Sequence, residues 1–254
     1  AGVAGVLAQW GPLPDSSAYL VHIGLTVAAG IALWKAPETR GAQPAAERGR
    51  LWDDLKIPSA GHRRFLYVIV PLAPWVFGTA AAAYAVIPAL MSENSAGVPI
   101  AFSALLCVVG LGSGFLIQSL GRKIDTPANS RAVVVALLFV ALGMAAAAVL
   151  AHNLTIPLAL GASVILGFGY GIALVSGLQE IQRIAGPDDL AGLTAVFYSL
   201  TYLGFATPAV MAVLSETFPA VTYTVMFVFG AVAALACLAL VVVNWRSHLP
   251  SLDD

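Results

Sequence analysis

Glu180 is the acidic residue of this sequence that comes closest to the interior of a long apolar run. A carboxylate in such a place is costly and often marks a proton or ion pathway. Arg183 follows three residues later, and side chains at that spacing share one face of a helix. Two interpretations stay open. We favour an ion pair between the two residues at the end of their helix, and we keep Glu180 as a candidate proton-handling group.

The other reactive side chains do not gather into a catalytic or metal-binding pattern. The histidines are scattered along the chain at His22, His62, His152 and His248. Both cysteines lie within apolar runs, where a thiol behaves as a small hydrophobic group. An enzyme needs an acid, a base, a nucleophile or metal ligands converging at one depth, and the sequence supplies no such set. We therefore expect no metal site, no cofactor and no enzymatic activity.

Aromatic and hydroxyl side chains recur at helical spacing within the apolar runs. Trp75 and Thr79 share one helix face, and Tyr198 and Tyr202 share another. Tyr170 lies in a third run, which is rich in glycine. Aromatic rings with a few hydroxyls and no fixed charge suit a large, apolar or weakly polar solute. These five residues are the candidate substrate-binding set; the alternative is that they pack helix against helix.

The composition predicts a helical membrane protein. Hydrophobic residues make up 59% of the chain and charged residues 10%, with a mean hydropathy of +0.89. Soluble domains have about 25% charged residues. Since a helix needs roughly 20 apolar residues to cross the bilayer, the apolar runs can be read as candidate spans. They lie near Ala18 to Trp34, Phe65 to Leu90, Ala96 to Leu120, Ala132 to Ala151, Ile156 to Gln182, Leu190 to Leu214 and Ala220 to Trp245. Prolines at positions 71, 74, 88 and 208 predict bends.

The distribution of basic residues predicts the topology. All 12 Lys and Arg residues fall in alternate connections between the runs, and such connections are expected on the cytoplasmic side. Residues 36–64 form the longest of these, a central linker that separates residues 1–35, the end of one bundle, from a six-helix bundle at 65–246 and a cytoplasmic tail at 247–254. The run Ala1 to Leu13 is too short to span, so we expect the chain to begin inside a helix. The net charge of -1 gives no sign of a nucleic-acid partner.

One segment resembles a known signature. Residues 114–123 read Gly-Phe-Leu-Ile-Gln-Ser-Leu-Gly-Arg-Lys, where a span ends and a short basic turn begins. This is similar to the second copy of the signature loop of the major facilitator superfamily. Its two glycines and its basic pair correspond to Gly114, Gly121, Arg122 and Lys123. Gln118 stands where the pattern has an acidic residue, and Ser119 where it has a basic one.

The resemblance implies an all-α, polytopic membrane bundle. Ala1 to Leu13 would end helix five of the family's fold, Ala18 to Trp34 would be helix six, and the later spans would be helices seven to twelve. It implies a secondary active transporter in the inner (plasma) membrane that works by alternating access. The implied partners are the lipid bilayer, a small organic solute and the N-terminal half of the same protein, with a proton gradient as the energy source.

Efflux of a drug-like or apolar compound is the favoured activity. Sugar or metabolite uptake by the same fold is the first alternative, although sugar sites usually need several amides and carboxylates. A membrane-embedded enzyme and a seven-helix receptor-like protein are further alternatives.

Overall fold

The computed structural model describes residues 1–37, 57–186 and 189–246. Within these residues the regular elements are helices, as the composition predicts. They are, in chain order, α1 (Gly2–Trp10), α2 (Ser17–Leu33), α3 (Phe65–Leu90), α4 (Pro99–Ile124), α5 (Arg131–His152), α6 (Ile156–Ile184), α7 (Leu190–Thr217) and α8 (Tyr223–Asn244). Most of the predicted linker, at 38–56, and the predicted tail, at 247–254, lie outside the described residues.

The helices from α3 to α8 are each long and apolar enough to cross a membrane. The shortest has 22 residues and the longest 29. At about 1.5 Å per residue these lengths exceed the roughly 30 Å of a hydrocarbon core. Helix α2 is apolar as well, but it has only 17 residues. Every predicted span therefore corresponds to a helix, and six of them meet the length of a full crossing.

Two spans have irregular turns next to three of the four prolines for which bends are predicted. Helix α3 contains two wide π-helical turns, Phe65–Ile69 and Ala82–Val86. Each is followed within two residues by a proline, Pro71 or Pro88, which lacks the N–H that would continue the ordinary hydrogen-bond pattern. Helix α7 tightens into a 3-10 turn at Leu203–Ala206, just before Pro208.

Helix α6 lies at the centre of the bundle and packs against α3, α4 and α5, while α8 packs along α5. The contact between α4 and α6 depends on glycine. A Cβ atom built on Gly114 would lie 2.8 Å from the carbonyl oxygen of Gly167, so the two backbones touch directly. Small residues of this kind let helices associate in lipid, where hydrophobic burial provides little driving force between them.

Helices α3, α5 and α7 begin at one side of the membrane-spanning region, and helices α4, α6 and α8 end at that same side. We call this side the basic end, because the cationic residues that flank α3 to α8 lie there: Arg63, Arg64, Arg122, Lys123, Arg131, Arg183 and Arg246. This arrangement agrees with the alternating charge pattern of the sequence.

Helix α1 packs on the opposite end of α4. Gly5 is buried there against the methyl group of Ala104. Gln9 accepts hydrogen bonds at its Oε1 from the backbone N–H groups of Ile100 (3.1 Å) and Ala101 (3.2 Å). These are among the first N–H groups of α4, which have no acceptor within their own helix. Residues 1–10 are thus attached to the six-helix bundle, whereas α2 is exposed from Tyr19 to Leu33.

Candidate functional site

A buried ion pair joins the start of α3 to the end of α6 at the basic end. The Nε atom of Arg64 lies 2.7 Å from Oε2 of Glu180, and its Nη2 atom lies 3.0 Å from Oε1. The side chains of both residues are 0% exposed. Two parallel N–H···O bonds between charged groups fix the orientation of both side chains as well as their separation.

Further groups extend this pair into a network. Arg183 places Nη1 3.0 Å from Oε1 of Glu180, and its Nη2 also pairs with Asp125. Arg64 donates from Nη2 to the hydroxyl of Ser130 at 2.7 Å. We call Arg64, Asp125, Ser130, Glu180 and Arg183 the charge network. Its two arginines and two carboxylates balance, which offsets part of the large cost of removing each charge from water.

The charge network ties together helix ends that are distant in sequence. Arg64 precedes α3, Asp125 follows α4, Ser130 precedes α5, and Glu180 and Arg183 lie in the last turns of α6. The end of α8 joins them, because the backbone N–H of Ser130 donates to the carbonyl oxygen of Trp245 at 3.0 Å. Any motion that separates these helix ends must break buried, charge-assisted hydrogen bonds.

The last residues of the linker segment are attached to the start of α7. The backbone N–H of Ser59 donates to Oδ2 of Asp189 at 2.8 Å. Ile57 lies against Gly192, where a Cβ atom would approach the Ile57 side chain to 2.8 Å. The position of the linker end is therefore coupled to the connection between α6 and α7.

A cluster of aromatic rings lies on α3, α6 and α7. Phe77 stacks on Phe205 with ring centroids 4.4 Å apart and ring planes 8° from parallel. Tyr202 lies 5.3 Å and Tyr170 6.3 Å from Phe77, both also stacked. Tyr202 is 57% exposed and Phe205 40% exposed, so the cluster is not closed off within the described residues. We call these four residues the aromatic cluster.

A pocket of about 300 Å³ opens beside the aromatic cluster. Helices α3, α4, α6 and α7 contribute its walls, which are Phe77, Ala80, Tyr84, Cys107, Leu111, Tyr170 and Phe205. None of these described lining residues carries a charge. The pocket has the character of a small-molecule site: mostly apolar, with a few polar atoms at its edge.

Comparison with protein-family models identifies the chain. The model described as Major Facilitator Superfamily matches residues 1–209. The chain belongs to the major facilitator superfamily. Comparison with individual curated proteins gives no match, and comparison with solved structures gives none either. With six membrane-length helices among its described residues, this facilitator is an integral, multi-pass membrane protein of a family of secondary transporters.

In this facilitator the signature glycines serve helix packing. Gly114 lies against Gly167 and the ring of Tyr170, and a Cβ atom on Gly121 would lie 2.8 Å from Val175. The basic pair of the signature, Arg122 and Lys123, is exposed. The nearest acidic residue, Asp125, pairs with Arg183 of α6 rather than with this basic pair.

The predicted pairing of Glu180 with Arg183 is confirmed, at 3.0 Å. Sequence reasoning missed Arg64, which precedes Glu180 by 116 positions, and it missed Asp125. Little in the sequence marks Arg64 as a partner of Glu180. It is one of two adjacent arginines at the predicted cytoplasmic start of a span, where the preference for basic residues on that side already accounts for it. The proton-handling role of Glu180 stays a prediction.

The candidate substrate-binding residues occupy different environments. Tyr170 and Tyr202 lie together in the aromatic cluster. Thr79 is fully buried, and its hydroxyl donates to the carbonyl oxygens of Trp75 (2.8 Å) and Val76 (3.2 Å) in its own helix. Trp75 packs against both buried hydrophobic clusters of the bundle.

Tyr198 meets Phe197 edge to face, at 5.8 Å between ring centroids. Phe205 lies on the same helical stripe as Tyr198 and Tyr202, so its place in the cluster follows from the spacing in the sequence. Phe77 was missed, because it is an apolar residue in an apolar span and only its position beside Tyr170 and Tyr202 distinguishes it. Among the described residues, no group of His, Cys, Asp and Glu could hold a metal ion.

Proposed function

We propose that this facilitator exports a small, uncharged, apolar or weakly polar organic solute, driven by a proton gradient across the plasma membrane. The observation that carries the proposal is the aromatic cluster, which exposes stacked rings beside a pocket with no charged lining residue. Planar aromatic solutes gain both apolar burial and favourable ring stacking in such a site. In this proposal the linker and the C-terminus face the cytoplasm.

The pocket chemistry favours an aromatic solute over a sugar. A sugar presents many hydroxyls, and a site built for it needs paired hydrogen-bonding groups, since buried polar groups without partners are costly. The glutamines of the spans, Gln118, Gln179 and Gln182, lie towards the basic end of α4 and α6. The lining of the pocket contains two tyrosines and the thiol of Cys107 as its polar side chains.

The charge network supplies a two-state element for alternating access. In one state it holds the ends of α3, α4, α5 and α6 together, as observed. Opening towards the basic end would separate these groups and expose their charges to water. The charges are therefore buried in one state and hydrated in the other, which makes the two states distinct. In this proposal protonation of Glu180 weakens its pairs with Arg64 and Arg183 and so couples a proton gradient to the opening.

Transport by the intact protein in proteoliposomes tests the proposal. Chloramphenicol and N-phenylnaphthylamine serve as uncharged aromatic probes, and lactose serves as the sugar comparison. We expect accumulation of an aromatic probe under an imposed pH gradient and none of lactose. Lactose uptake without aromatic transport would favour the sugar alternative, and no flux of any probe under a pH gradient would contradict the proposal.

Cys107 offers a direct test of the pocket. It lines the pocket, whereas Cys237 lies on α8 and does not. We expect N-ethylmaleimide to block transport in the native protein and in a Cys237→Ser variant, and the transported probe to slow the reaction. A Cys107→Ser variant should transport and resist the reagent. Equal sensitivity of the Cys107→Ser variant would place the solute elsewhere.

A further inference from the structure

A second cavity lies on the other side of the seam between α3 and α7. It is a groove of about 550 Å³ between the second half of α7 and the first half of α8, with α3 and α5 as its floor. Trp75 and Gly78 line the floor, Val210 lines the α7 wall, and Phe229 and Gly230 line the α8 wall. None of the four residues of the aromatic cluster lines the groove, and the groove shares no lining residue with the pocket described above.

The groove exists because α7 and α8 diverge. Helix α8 packs along α5, and its contact with α7 is slight. Helix α7 is held instead against α3 by its 3-10 turn, where Gly204 lies against the backbone of Pro74 and Gly78. Each helix is thus fixed by a different neighbour, and the space between them remains open along their length.

The open side of the groove is continuous with the exposed apolar surface of α7 and α8. Val210 and Val225 at its rim are each 51% exposed, and Phe229 is 73% exposed. All three belong to spans that are mostly unburied within the described bundle. Thr207 carries the one hydroxyl among the described lining residues. Water gains too few partners in such a space, so the groove favours an apolar occupant over water.

The dimensions of the groove match an acyl chain. From Leu203 to Leu214 the α7 wall extends for roughly 16 Å, at about 1.5 Å per residue. This is about half of the roughly 30 Å hydrocarbon core, which is the reach of the chains in one leaflet. The volume is more than three times that of a cavity of about 150 Å³ that holds benzene.

We propose that this groove binds one acyl chain of a membrane phospholipid, in the leaflet that lies away from the basic end. The chain lies parallel to α7 and α8, with its terminal carbons near Trp75. That residue is about 15 Å along α3 from Phe65, which places it near the bilayer midplane. The bound chain fills the space between two helices that barely contact each other and so holds α7 against α3.

Quenching of Trp75 fluorescence by brominated phospholipids tests the proposal. The measurement uses the intact protein with Trp75 as its only tryptophan, the others being replaced by Phe. We expect strong quenching by lipids brominated near the chain end and weaker quenching by lipids brominated near the headgroup. Emission that is the same in brominated and unbrominated bilayers would overturn the proposal.

A matched pair of variants on α8 separates the groove from bulk lipid. Ala233 lines the groove, and Ala236 is exposed on the same helix outside it. Ala233→Phe should fill the groove and remove most of the quenching, while Ala236→Phe should leave it unchanged. Unchanged quenching in a folded Ala233→Phe variant would overturn the proposal. If that variant does not fold, the comparison of bromine positions in the parent protein decides alone.

A solute in the groove predicts a different result. If excess chloramphenicol relieved the quenching of Trp75, the groove would hold the transported solute rather than a lipid chain, and the proposal would be wrong.

Discussion

Arg64 donates a hydrogen bond to each carboxylate oxygen of Glu180: its Nε atom lies 2.7 Å from Oε2, and its Nη2 atom lies 3.0 Å from Oε1. The two residues lie 116 positions apart and are both fully buried. A buried pair of this kind is costly to form but much more costly to break on one side, because the charges that remain are no longer balanced.

The first prediction concerns the balance of charge in the network. Arg64→Met should destabilise the protein by about 3–5 kcal/mol, since it leaves two carboxylates with one guanidinium. The double variant Arg64→Met, Glu180→Met retains the neutral pair of Arg183 and Asp125 and should recover a large part of that loss. Thermal unfolding of the detergent-purified variants measures both effects. Strictly additive losses would show that the two residues do not act as a pair.

The second prediction separates proton coupling from structure. Glu180→Gln keeps an acceptor for Arg64 but cannot exchange a proton. If Glu180 carries the coupled proton, this variant should lose transport driven by a pH gradient and keep exchange of labelled for unlabelled solute. Asp125→Asn, in the same network, is the control and should retain pH-driven transport. Accumulation by the Glu180→Gln variant at the parent rate would exclude the proton role.

The third prediction tests the aromatic cluster. Phe77→Ala removes the ring on which Phe205, Tyr202 and Tyr170 stack. Loss of one stacking contact of about 0.5–1.5 kcal/mol should raise the KM for an aromatic solute roughly two- to tenfold. Phe139→Ala is a matched control, because Phe139 pairs edge to face with Phe168, and neither lines the pocket. A KM that rises equally in both variants would point to general damage.

The fourth prediction distinguishes two glycines on the same helix. A Cβ atom at Gly114 would press on Gly167 and Tyr170, whereas one at Gly112 has no neighbour within 4 Å. Gly114→Ala should therefore cost about 1–3 kcal/mol through overpacking. Gly112→Ala should be neutral or slightly stabilising, since alanine favours the helix. Unfolding temperatures of the two variants give the comparison; equal temperatures would contradict the close contact of α4 with α6.

The spans and their alternating direction could be predicted from the sequence. A segment in hydrocarbon must satisfy its own backbone hydrogen bonds, so a run of sufficient length becomes a helix whatever its neighbours are. The pairing of Glu180 with Arg183 could also be predicted from the sequence, because residues three apart lie on the same face of one helix. The family resemblance rested on Gly114 and Gly121, whose close packing in the structure explains why small residues stand there.

The candidate site was predictable only in part. Tyr170 and Tyr202 could be proposed because a hydroxyl-bearing ring stands out in an apolar span. Phe205 could be proposed as well, because it shares the helical stripe of Tyr198 and Tyr202. Phe77 could not, since a phenylalanine in an apolar span looks the same in the sequence whether it faces lipid, a helix or a solute. Thr79 shows the converse: its spacing suggested a polar face, but its hydroxyl is satisfied by its own helix.

The sequence by itself determined which segments are helices, in which order they cross and at which end the cations lie, because these follow from length, hydropathy and charge along the chain. The tertiary structure alone decided how each helix is rotated and tilted against the others. Within the bilayer, the face of a helix that contacts lipid and the face that contacts other helices are both apolar. The sequence therefore gives little indication of which face turns inward. For this reason the contact of Arg64 with Glu180, the stacking of Phe77 on Phe205 and the groove between α7 and α8 emerged only from the packed bundle.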